Sequence, residues 1–85
     1  MSHGLQWELT LLQDRWQATY REDAARLRLY QRELAHARRL PARPHASIKH
    51  LLRQCATARR LKEHAQMSVR DYQSHIKQLS SYLSA

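Results

Sequence analysis

The sequence predicts an all-α protein: two long antiparallel helices forming a coiled-coil-like αα-hairpin that dimerises into a four-helix bundle. Three observations predict it. The 85 residues include one Gly and two Pro, too few turn residues for a protein of strands and hairpins. Apolar side chains recur every three or four residues along both halves of the chain, the spacing of one helical face. The one clear breaker is central, at Pro41-Ala42-Arg43-Pro44. A charged fraction of 26%, interleaved with regularly spaced Leu, favours order over disorder. The length admits a single domain, 1–85, with a thin core.

The first helix is expected over about 5–40. That stretch lacks Gly and Pro and is rich in Ala, Leu, Arg, Gln and Glu, all strong helix formers. Gly4 and Ser2 offer its start. Pro41 ends it, because proline pushes the preceding residue away from helical angles and donates no backbone hydrogen bond. A turn over 41–45 follows, with Pro44 suited to the first turn of a new helix, where its missing N–H is not needed. The second helix is expected over about 46–84, again without Gly or Pro. The alternative is three shorter helices, with a break near Gln66-Met67-Ser68.

The apolar stripe of helix 1 reads Leu5, Leu9, Leu12, Trp16, Tyr20, Ala24, Leu27, Tyr30, Leu34, Ala37, Leu40. That of helix 2 reads Ile48, Leu52, Cys55, Ala58, Leu61, Ala65, Val69, Tyr72, Ile76, Leu79, Leu83. Folded back at the prolines, the stripes meet in register. Leu5 falls opposite Leu83, Leu9 opposite Leu79, Leu12 opposite Ile76 and Trp16 opposite Tyr72. Leu27 falls opposite Leu61, Tyr30 opposite Ala58 and Leu40 opposite Ile48. Consecutive four-residue steps at 12–16–20–24 and 61–65–69, the mark of a heptad stutter, lie close to opposite each other. At about 1.5 Å per residue the hairpin is roughly 55 Å long.

Two helices bury one seam, and a core that small seldom supplies more than about 3–5 kcal/mol. Helix 1 carries a second apolar strip on its other side: Trp7, Leu11, Ala18, Ala25 and Leu29. Exposed apolar surface of this kind calls for a partner, either a second copy or a different protein.

Charge divides the chain. The formal net charge is +8. Residues 26–62 hold Arg26, Arg28, Arg32, Arg38, Arg39, Arg43, Lys49, Arg53, Arg59, Arg60 and Lys62 against the single acid Glu33. In the hairpin these residues form the turn half, whereas Trp7, Trp16, Tyr20, Tyr72 and Tyr82 lie toward the open end. The expectation is an open end built for packing and a tip, with a thinner seam of Ala37, Cys55 and Ala58, built to meet anions. Arg far outnumbers Lys, and guanidinium groups bind phosphate or carboxylate in bidentate fashion. Arg32, Arg38, Arg39, Arg43, Lys49, Arg53, Arg59 and Arg60 are therefore the candidate contacts for nucleic acid or an acidic protein surface. His36, His45 and His50 also lie near the tip.

No catalytic constellation is present. No two His stand four apart as a helix-borne metal pair would, and one Gly excludes a phosphate loop. Cys55 sits on the seam as a small buried thiol. Asp23 and His64, nearly opposite, are expected to make a local polar pair. The expectation is a non-enzymatic protein with no cofactor, no metal and no small-molecule substrate. One Cys fits a reducing compartment. No run is apolar enough for a membrane span or a signal peptide, so the reading is cytoplasmic.

Two family resemblances bear on function. Arg26-Leu27-Arg28, with Leu52-Arg53-Gln54-Cys55 and Arg59-Arg60-Leu61 after the turn, resembles the basic helical part of PriC-type primosomal proteins. That likeness covers Arg21 to Ile76 and implies a role in replication restart, with single-stranded DNA-binding protein, DNA and the replicative helicase as contacts. Leu29-Tyr30-Gln31, followed by Arg38-Arg39-Leu40-Pro41 and Ile48-Lys49-His50-Leu51-Leu52-Arg53, resembles the LYR family of mitochondrial adaptors. That likeness implies a three-helix bundle and an acyl carrier protein as partner; Gln31 stands where that family usually has Arg or Lys. The first functional expectation is a nucleic-acid-associated accessory factor that contacts phosphates with its basic turn half. The alternative is a protein-interaction module, such as a secretion co-chaperone or an LYR-type assembly adaptor, working through Trp7, Leu11, Ala18 and Leu29.

Overall fold

The computed structural model describes residues 2–42 and 44–84. It consists of two helices, α1 (Ser2–Arg39) and α2 (His45–Ser84), folded back on each other. The hairpin extends 65 Å along its axis and 14 Å across each other direction. α2 runs unbroken through Gln66-Met67-Ser68, so the three-helix alternative does not hold. The apolar stripe continues through that segment at helical spacing, Ala65 to Val69 to Tyr72, and no Gly or Pro interrupts it, which gives the chain no reason to break there.

The turn is short. The Leu40 amide donates to the Ala37 carbonyl at 3.3 Å, tightening the end of α1 into an i→i−3 bond of the kind common at helix ends. On the far side, the Ile48 amide donates to the Pro44 carbonyl at 2.9 Å. Pro44 thus sits at the cap of α2: its carbonyl begins the hydrogen-bond ladder while its lack of an N–H costs nothing. At the open end the Gln6 side-chain amide donates to Ser80 Oγ at 3.0 Å, tying the two helices together close to the register read from the stripes.

The buried side chains are Asp23, Leu27, Leu34 and Ala37 on α1 with Cys55, Ala58 and Ala65 on α2. Leu27, Leu34, Cys55 and Ala58 form the central cluster, and Tyr30, Ile48 and Leu51 pack against it. This reverses the expected division of labour. The closed core lies in the basic half, at the small residues, while Leu9, Leu12, Trp16, Tyr20, Tyr72, Ile76 and Leu79 toward the open end are only half-buried. The reason is size. One opposing helix suffices to cover an Ala or a Cys, whereas a Trp or Tyr carries more surface than one helix covers.

Five seam positions also prove exposed: Leu5, Leu40, Leu52, Leu61 and Leu83. Leu61, expected opposite Leu27, is 44% exposed. Ala58 and Ala65, seven residues apart, hold the centre line of the seam, and at about 100° per residue Leu61 and Lys62 fall to its two sides. Lys62 is half-buried there, with its ammonium 6.0 Å from the centre of the Tyr20 ring, within cation–π reach.

Ala65 is fully buried, at 0% exposure. Ala65→Leu should lower stability by about 1–3 kcal/mol through overpacking, read as a drop in the midpoint of thermal unfolding by circular dichroism. Unchanged stability would mean that the seam is looser than described.

Candidate nucleic-acid interface

The basic half is assembled from two helical stripes and a groove. On α1, Arg28, Arg32 and Arg39 lie at spacings of four and seven, which places them on one outer face. On α2, Lys49, Arg53 and Arg60 repeat the same spacing. Every one of these side chains is exposed. In the hairpin register Arg28 lies level with Arg60 and Arg39 level with Lys49. At about 100° per residue each stripe lies nearly opposite the buried seam, so the two stripes face away from each other on opposite sides of the hairpin.

Arg38 and Arg59 stand apart from the stripes. They line a groove between the helices together with Gln31, Leu34, Ala35, Leu52, Cys55 and Ala56. The groove has a volume of about 370 Å³, an apolar floor and a guanidinium toward each end. Of the residues expected to contact phosphate, Arg32, Arg38, Arg39, Lys49, Arg53, Arg59 and Arg60 are all brought to the same half of the molecule and all are exposed. They surround that half and do not line a single face. Arg43 lies outside the described residues.

Among the described residues these cations have no ion-pair partner. Among the described residues one side-chain ion pair forms, Arg26 to Asp23 at 3.4 Å. Asp23 is 5% exposed, and the Arg26 guanidinium donates to its Oδ1. The expected Asp23–His64 contact is absent, because Arg26 one turn along α1 reaches the carboxylate first. His64 is exposed and sets its ring edge-on to Trp16 at 5.3 Å. Trp16 and His64, with Ser68, Asp71, Tyr72 and His75, line a second hollow of about 310 Å³ toward the open end.

Neither hollow was expected. The one hint of the first is that Ala35 and Ala56 flank the seam, leaving room beside Leu34 and Cys55. Cys55 is a buried free thiol, as its seam position required. Trp7, Leu11, Ala18 and Leu29 are exposed, Trp7 at 67%. Among the described residues no three His, Cys, Asp or Glu side chains gather as metal ligands would, and no helix is long and apolar enough to cross a membrane. No protein-family model, curated protein or solved structure matches this chain.

Proposed function

We propose that this chain is a small cytoplasmic, non-enzymatic accessory protein that binds nucleic acid by neutralising phosphates with the basic half of its hairpin. One observation carries the reading. Residues 26–62 hold eleven cations against the single acid Glu33, and among the described residues only Arg26 is engaged in an ion pair. Uncompensated positive charge of this density attracts a polyanion from any approach, and Arg matches phosphate geometry better than Lys does. The contacts are to backbone phosphate, with little sequence readout. Tyr30, the one aromatic near the cluster, packs against the core and is not offered as a stacking platform, so single strands gain no added affinity from stacking. The resemblance to PriC-type proteins makes replication restart the proposed setting.

The test is a fluorescence-anisotropy titration of labelled duplex and single-stranded oligonucleotides across a salt series. The expected result is binding that persists at physiological ionic strength, with log K falling by several units per unit of log salt. Binding that vanishes by about 150 mM salt means that the charge is a solvated face alone. An acidic protein surface then becomes the partner to seek.

A further inference from the structure

A second surface runs along α1 from the open end to the edge of the basic half at Leu29. On α1, Trp7, Leu11, Ala18, Ala25 and Leu29 form an exposed strip. At about 100° per residue it lies roughly 150° round the helix from the seam. It runs about 33 Å along the axis at about 1.5 Å per residue.

The strip is self-complementary. If a second α1 is laid against it antiparallel, with a two-fold axis at Ala18, every position meets an apolar one. Trp7 faces Leu29 of the second copy and Leu11 faces Ala25 of the second copy. Ala18 faces itself, where a small side chain allows the backbones to approach. Large residues close both ends.

The flanking charges obey the same axis. Asp14 falls beside Arg21 of the second copy on one side of the strip, and Glu22 beside Arg15 of the second copy on the other. The two-fold doubles each pair, so four oppositely charged contacts ring the Ala18 crossing. Among the described residues none of these four side chains makes an ion pair, and all are exposed. A random arrangement of charges on this face would place like beside like about as often as unlike.

From this spacing and charge pattern we infer that the chain forms a homodimer through the outer face of α1, antiparallel, with its two-fold axis at Ala18. Because the strip lies nearly opposite the seam, the four helices line up as a row, α2–α1–α1–α2, and do not form a square bundle. The turns of the two copies point to opposite ends, which keeps the most basic segments apart. The dimer does not depend on the phosphate-binding reading, and its test contains no nucleic acid.

The test is sedimentation equilibrium of the full chain at physiological salt, with circular dichroism as the folding control. The wild type should be a dimer. Asp14→Arg and Arg21→Asp should each weaken the dimer about tenfold by setting like charges together, and the double variant should restore it. Ala18→Cys should give a disulfide-linked dimer on mild oxidation, since Cys55 is buried. A monomeric wild type overturns the inference. So does a dimer indifferent to the single charge reversals, or one that the double variant does not restore.

Discussion

Replacing Arg38, Arg39, Arg59 and Arg60 together with Gln should flatten the salt dependence of DNA binding by about three to four units of slope, since each phosphate contact contributes about 0.9. Affinity at physiological salt should fall at least about tenfold. All four side chains are exposed and, among the described residues, none is in an ion pair, so their removal orphans no buried charge. Gln is nearly as good a helix former as Arg, so helicity should hold. That separation makes the experiment informative. An unchanged slope with intact helicity would show that these guanidinium groups do not meet phosphate, and the charge count would lose its functional meaning.

The second large effect concerns the seam. Leu27→Ala should cost about 2–5 kcal/mol, comparable with the whole stability a core this small supplies, and the chain should be largely unfolded as a monomer. Leu27 is 6% exposed and belongs to the central cluster with Leu34, Cys55 and Ala58. Leu61→Ala should cost less than about 1 kcal/mol, because Leu61 is already 44% exposed and loses little buried surface. The stripe pattern treats these two leucines as equals facing each other; the structure separates them. Thermal and urea unfolding of both variants, followed by circular dichroism, measures the difference. Equal losses would restore the simple register.

The comparison shows which physical information lies in a one-dimensional pattern. Helical period and proline chemistry are local, so the two helices and the turn at Pro41 were legible. Burial depth is not local. It depends on how much surface each side chain carries and how much one opposing helix covers. Ala37, Cys55, Ala58 and Ala65 close the seam, whereas Trp16, Tyr20 and Tyr72, which promised a better core, stay half-wet. Leu61 illustrates the same limit, since its place beside the centre line follows from the phase of Ala58 and Ala65 together. The basic half was legible because charge is counted residue by residue. The groove between Arg38 and Arg59 was not, because it depends on the mutual rotation of the two helices. Asp23 marks a third case: a partner one turn away on its own helix, Arg26, outcompetes the one expected across the seam.

Amide chemical-shift mapping of the isotopically labelled chain, titrated with a short DNA duplex at physiological salt, tests the central claim most directly. The account predicts perturbations concentrated between residues 26 and 62, strongest around Arg38, Arg39, Arg59 and Arg60, with the open end near Trp7 and Tyr82 unmoved. Perturbations centred on the open end, or none at saturating DNA, would contradict it.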